Sequence, residues 1–79
     1  ARTVAPDDDL LQAELEEAID RAIQSLPEKQ RMAVILRRYE ELPYEEIARV
    51  LSMSLPAVKS LLFRARTQLK ESLQKYLDS

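Results

Sequence analysis

Apolar residues recur at helical spacing in four blocks along the chain, with a proline or a short polar turn between one block and the next. Leu11, Leu15, Ala18, Ile19, Ala22 and Leu26 form the first stripe, and Glu14, Glu16, Glu17, Asp20 and Arg21 lie mostly off it. This predicts a helix starting near Asp9, a residue suited to capping it. Pro27 ends the block and fits the first position of a second helix opened by LPEKQR, whose stripe is Met32, Ile35, Leu36 and Tyr39. Pro43 separates that helix from a third, with Tyr44, Ile47, Ala48 and Leu51 at i, i+3, i+4 and i+7. A tight turn, Ser52-Met53-Ser54, follows, with Met53 as an apolar plug. Ser54 can cap a fourth helix, and Pro56 is tolerated in its first turn because the N–H groups there have no helical partner. That helix carries Val58, Leu62, Ala65 and Leu69 on one face, Leu61 at its margin, and continues through Leu73 and Tyr76 to about Leu77. Its last part is expected either to pack back on the first helix or to project as a ridge. The predicted fold class is all-α, a four-helix domain containing a helix-turn-helix over residues 44–66.

The opposite face of the fourth helix is unusual for a solvated surface. Lys59, Ser60, Phe63, Arg64 and Thr67 fall together on it at 100° per residue. Two cations, two hydroxyls and one aromatic ring suit a helix laid in a DNA major groove: cations meet phosphate oxygens or guanine edges, and an apolar side chain touches a thymine methyl. The bland reading of Phe63 is an interhelical contact. Arg31, Arg37 and Arg38 flank the second stripe; their bland reading is solvation and pairing with nearby acids, and their functional one is contact with phosphates outside the recognition helix. Tyr39, Tyr44 and Tyr76 fall on apolar stripes, which makes each a core or rim residue first.

Charge sharpens this picture. The formal net charge of the 79 residues is −2, which by itself argues against a nucleic-acid partner. Residues 1–55 hold seven Lys/Arg against twelve Asp/Glu, whereas residues 56–79 hold five against two, so a basic final helix sits on an acidic body. Histidine, cysteine and glycine are absent, which removes histidine general bases, thiolate nucleophiles, disulfides and glycine-rich phosphate loops. No enzymatic activity, cofactor or metal is expected. Asp7-Asp8-Asp9 is a carboxylate cluster, best read as solvated linker or helix cap. Residues 1–8 read as a linker or the tail of a preceding domain, and the start at Ala1 reads as a piece of a longer protein. No apolar run is long enough to span a bilayer, and nothing resembles a signal peptide.

LPEKQR (26–31), YEEIARVL (44–51) and VKSLLFRAR (58–66), in this order and spacing, resemble region 4 of bacterial RNA polymerase sigma factors, especially the extracytoplasmic-function group. The resemblance covers about residues 10–77. It implies binding of double-stranded promoter DNA at the minus-thirty-five element, docking on the β-subunit flap of core RNA polymerase, an anti-sigma factor as partner, and a bacterial cytoplasmic setting. Carried over by position, the base-contacting face falls on Lys59, Ser60, Phe63 and Arg64, with Tyr44 and Glu45 near the DNA backbone. Arg66 matches a family arginine that serves phosphate contact or a structural ion pair. The chain departs from the family at Pro43, at Ser52 where glycine is usual, at Pro56-Ala57 in place of Gly-Thr, and at Leu61 in place of arginine. These departures bear on sequence preference more than on fold. Two other readings share some landmarks: the helix-turn-helix output domain of another transcription regulator, and a sigma-like interaction module that binds an anti-sigma factor and no DNA.

Overall fold

The computed structural model describes residues 6–77, with five helical elements and no strand among them: α1 (Pro6–Gln24), α2 (Glu28–Arg38), α3 (Tyr44–Leu51), α4 (Leu55–Ser72) and a short α5 (Gln74–Leu77). Residues 1–5 of the expected linker lie outside the described residues, as do the side chains of Asp7, Asp8 and Asp9. The backbone of α1 is helical from Pro6, so Asp9 lies inside the helix and does not cap it. Proline is compatible with a first helical turn, which lets the helix start at Pro6.

One apolar core is built where α4 crosses α2 and α3, with α1 laid against both α2 and α4. It contains Ile23, Leu26, Ala33, Val34, Ile47, Ala48, Val58, Leu62 and Ala65, with Leu51, Met53, Leu61 and Leu69 packed on its margin. Three of its members are alanines, one each from α2, α3 and α4. Short side chains at the crossings let the helix axes approach closely. The molecule is elongated, 46 × 27 × 16 Å, and Leu10 and Leu11 near the start of α1 are exposed.

Two stripes differ from the expectation. Leu11 is 59% exposed, and Ile23 is buried in its place on the inner side of α1. Leu11 lies in the N-terminal half of α1, whereas the buried residues of that helix, Ala18, Ala22 and Ile23, lie in its C-terminal part. In α2, Met32 is 40% exposed and Tyr39 52% exposed, while Ala33 and Val34 are buried. That helix is contacted by α1, α3 and α4 at once, and the crossing with α4 selects the small side chain at position 33 over the longer neighbour. Tyr39 instead works at the rim, its hydroxyl donating to the Asp20 carboxylate at 2.8 Å and so tying the end of α2 to α1.

Chain ends and turns follow from local chemistry. Pro27 and Pro43 occupy the N-cap positions of α2 and α3, and neither offers a capping side chain. The expected single long fourth helix breaks at Leu73, after which α5 resumes the course. Tyr76 of α5 and Ser72 of α4 line one shallow concavity with Ala18, Arg21 and Ala22 of α1, so the end of the chain lies beside the first helix.

Two non-glycine residues have positive φ, Glu41 in the loop before α3 and Ser52 in the turn between α3 and α4. Ser52 is left-handed (φ 55°, ψ 47°), and the next N–H, that of Met53, donates back to the Ala48 carbonyl at 2.9 Å. A left-handed conformation costs a non-glycine residue roughly 1–2 kcal/mol. Glycine there returns about 0.4–1 kcal/mol to the unfolded chain as entropy. Ser52→Gly is therefore expected to stabilise the domain by about 0.5–1 kcal/mol. Urea denaturation checks this; a lowered midpoint would show that Ser52 is held by contacts stronger than its strain.

Candidate nucleic-acid interface

The geometry of the exposed face begins at the Ser54 cap. Its Oγ accepts from the Ala57 N–H at 3.2 Å, and Pro56 sits in the first turn, so α4 starts at Leu55. From that start, Val58, Leu62 and Ala65 are buried, and their burial sets the rotation of the helix about its own axis. Lys59, Ser60, Phe63, Arg64 and Thr67 are all exposed as a result. Phe63 is 69% exposed, so the interhelical contact that would have explained it is not made. Thr67 Oγ1 donates to the Phe63 carbonyl at 3.1 Å, so its hydroxyl proton is committed to its own helix.

Lys59 and Arg66 are seven residues apart, two helical turns, and so run along one edge of this face, beside α3. Among the described residues Arg66 makes no ion pair, and it is not purely solvent-facing either. Its Nη2–H donates to the Tyr44 hydroxyl oxygen at 2.8 Å and links α4 to the first residue of α3. The Arg37 guanidinium lies 5.1 Å from the centre of the Tyr44 ring, and its Nη1–H donates to the Leu42 carbonyl at 3.0 Å. Tyr44 is thus held between one arginine from α2 and one from α4. Because it accepts from Arg66, its own O–H remains a donor.

Beside this pair is an open notch of about 320 Å³ lined by Arg37, Pro43, Tyr44, Glu45, Leu55 and Lys59. Pro43 supplies no capping oxygen to the first turn of α3, so a helix N-terminus, two cations and a phenol meet there. That combination attracts an anion, opposed by Glu45 at the notch and by Glu46 in the same first turn. On the far edge, Phe63, Arg64, Thr67 and Gln68 share a second concavity of about 410 Å³ with Pro27 and Gln30 at the start of α2.

The seven sequence-predicted residues therefore fall in two adjoining groups: Lys59, Ser60, Phe63, Arg64 and Thr67 on the outer face of α4, and Tyr44 with Arg66 at its junction with α3. Arg37 belongs with the second group. Its position beside Leu36, two residues before the end of the apolar stripe of α2, was visible, but its reach to Tyr44 across the Tyr39–Pro43 loop was not. Arg37 and Arg38 were open to pairing with acids; among the described residues the ion pairs are Arg21–Glu17 and Arg49–Glu46, and the partners of Arg37 and Arg38 are rings and a carbonyl. No helix among the described residues is long and apolar enough to cross a membrane.

A capped helix presenting cations, a hydroxyl and an aromatic ring, held at a turn to a shorter helix, defines a helix-turn-helix domain. The family of sigma-70, region 4, matches residues 16–69, and the chain belongs to that family. It is 40% identical over 73 residues to the RNA polymerase sigma-H factor of Pseudomonas aeruginosa, covering 92% of this chain and 38% of that protein. It is 41% identical over 69 residues to the ECF RNA polymerase sigma-E factors of Escherichia coli K12 and Salmonella typhimurium, covering 87% of this chain and 36% of each. The chain spans somewhat more than a third of the length of these relatives.

The Arg66–Tyr44 link is checked by a double-mutant cycle. Tyr44→Phe and Arg66→Ala are each expected to lower stability, with a coupling of about 0.5–1.5 kcal/mol between them. Additive effects in urea denaturation would mean that the hydrogen bond contributes nothing to joining α3 and α4.

Proposed function

We propose that this domain reads double-stranded promoter DNA at the minus-thirty-five element, as part of a sigma factor held on core RNA polymerase in the bacterial cytoplasm. The carrying observation is the face of α4: Val58, Leu62 and Ala65 are buried while Lys59, Ser60, Phe63 and Arg64 are exposed together beside them. In a helix-turn-helix the second helix enters the major groove, and its outward side chains meet base edges.

The roles follow from side-chain chemistry. Arg64 donates a bidentate pair to guanine, or single bonds to phosphate. Lys59 supplies a mobile cation at the edge of the face, and Ser60 a short hydrogen bond. Phe63 packs on a thymine methyl, and the Thr67 methyl extends that apolar strip. The notch between Arg37, Tyr44 and Lys59 takes a backbone phosphate, with the Tyr44 O–H as donor and Arg66 fixing its direction. Each good base contact discriminates by roughly 1–3 kcal/mol, and each phosphate contact adds salt dependence.

Membership of the sigma-70 region 4 family supports docking on the flap of the polymerase β subunit and capture by an anti-sigma factor. An interaction module that binds an anti-sigma factor alone has less support, because it leaves the exposed Phe63 and its flanking cations without a role.

Fluorescence anisotropy against a library of duplexes at low salt tests the reading. Arg64→Ala is expected to lose about tenfold or more in affinity for the selected duplex and to relax preference at one position. Lys59→Ala is expected to weaken binding across sequences and to flatten the log-affinity against log-salt slope by about 1. Unchanged preference in Arg64→Ala would remove Arg64 as a base reader, and no binding to any duplex would favour the interaction module.

A further inference from the structure

Among the described residues, one side chain buries a polar atom that has no partner. It is Gln30 near the start of α2, whose Oε1 is shut off from solvent and accepts no hydrogen bond. A buried acceptor left unsatisfied carries its full desolvation penalty. The fold offers it little: the buried core around it is apolar, and Pro27, three residues earlier, has no N–H to give. An orphan of this kind points to a partner that the free domain does not supply. Gln30 and Pro27 form one wall of the concavity of about 410 Å³ whose other wall is Phe63, Arg64, Thr67 and Gln68 of α4. Gln30 as a whole is only half-buried. The terminal torsion of a glutamine is soft, so its carboxamide can swing the oxygen into that concavity.

The opposite wall holds the donors. The Thr67 hydroxyl proton is already given to the Phe63 carbonyl. Gln68 offers a neutral amide. Arg64 is exposed and, among the described residues, makes no hydrogen bond, ion pair or ring contact. A guanidinium carries N–H groups on all its nitrogens, and a bidentate bond to a guanine edge leaves some of them over. Those lose water when the helix enters the groove. A bond from a charged donor is stronger than one from a neutral amide, which favours Arg64 over Gln68 as the partner of Oε1.

We propose that Gln30 is a positioning residue for DNA reading: in the DNA-bound domain its Oε1 accepts from the Arg64 guanidinium and fixes the plane in which Arg64 meets a base edge. The inference rests on the role of Arg64 as a base reader. One hydrogen bond then satisfies two groups that each lack a partner, the carbonyl oxygen in the free domain and the stripped guanidinium in the groove. It also holds a long, rotamer-rich side chain by a fixed point on a different helix, which lowers the entropy cost of the base contact. Gln30 touches no nucleotide in this role. Its effect falls on preference at one base pair, and the number of phosphate contacts is unchanged.

Fluorescence anisotropy of the 79-residue chain, with the selected duplex and its variants at the base pair that Arg64→Ala relaxes, tests the proposal. Gln30→Met keeps the bulk and removes the acceptor. It is expected to lose about tenfold in discrimination at that base pair, with the slope of log affinity against log salt unchanged. Gln30→Glu keeps an acceptor and is expected to retain discrimination. In an Arg64→Ala background Gln30→Met is expected to change nothing further, and in a Gln68→Ala background to keep its full effect. The urea midpoint of Gln30→Met is expected not to fall, because the oxygen it removes has no partner in the free domain. A lowered midpoint overturns the proposal, since it shows the oxygen already satisfied there. So does full discrimination in Gln30→Met while Arg64→Ala remains relaxed, which leaves Arg64 as a base reader without this support. Unchanged preference in Arg64→Ala removes both roles together, so the two failures are told apart.

Discussion

Everything on the outer surface of this domain depends on how α4 is rotated about its axis, and three buried side chains decide that. Val58, Leu62 and Ala65 meet Ala33 and Val34 of α2 and Ile47 and Ala48 of α3 in one core. A rotation of one residue, 100°, would bury Lys59 or Phe63 and expose Val58. Burying an unpaired ammonium costs far more than a domain of this size has in stability, so the core and the charged face enforce each other. The reading face is in this sense a by-product of packing. Its precision comes from alanines that let the helices meet closely and leave no slack for α4 to roll.

The junction between α3 and α4 carries a second constraint. The turn closes through a left-handed Ser52, with Met53 plugged against the core and Ser54 capping the next helix. These local devices set the angle between the helices. The Arg66–Tyr44 hydrogen bond and the stacking of Arg37 on the same ring hold the far side of that angle. Two arginines at one tyrosine are mutually repulsive, and exposure to water keeps that repulsion small. The arrangement keeps positive potential beside the acidic body of the chain, which is how a domain of net charge −2 can still offer a cationic edge.

The legibility of the chain varied by element for physical reasons. In α3 and α4 the stripes read from spacing are the buried faces, because their cap and turn residues are explicit and fix where each helix starts. In α2 the reading was displaced. Met32 and Tyr39 fit helical spacing, but a helix touched on three sides has a broad buried arc, and small Ala33 sits where the axes come closest. In α1 the stripe ran through Leu11, since periodicity cannot tell a segment facing a neighbour from one facing solvent. The end of the chain shows the same limit: Leu73 and Tyr76 continue the pattern of α4, yet the helix is interrupted at Leu73 before Tyr76 comes beside α1.

By itself, the sequence determined the helical class, the positions of the breaks at prolines and serines, the inward stripe of α4 and thereby its outward residues. These depend on local propensity and on a single periodicity, both of which are written in neighbouring residues. Only the tertiary structure decided that Arg66 reaches Tyr44, that Arg37 covers the same ring, which face of α2 is buried, and that Leu10 and Leu11 are exposed. Those outcomes depend on which helices meet and at what distance, and side chains twenty residues apart carry no local mark of each other.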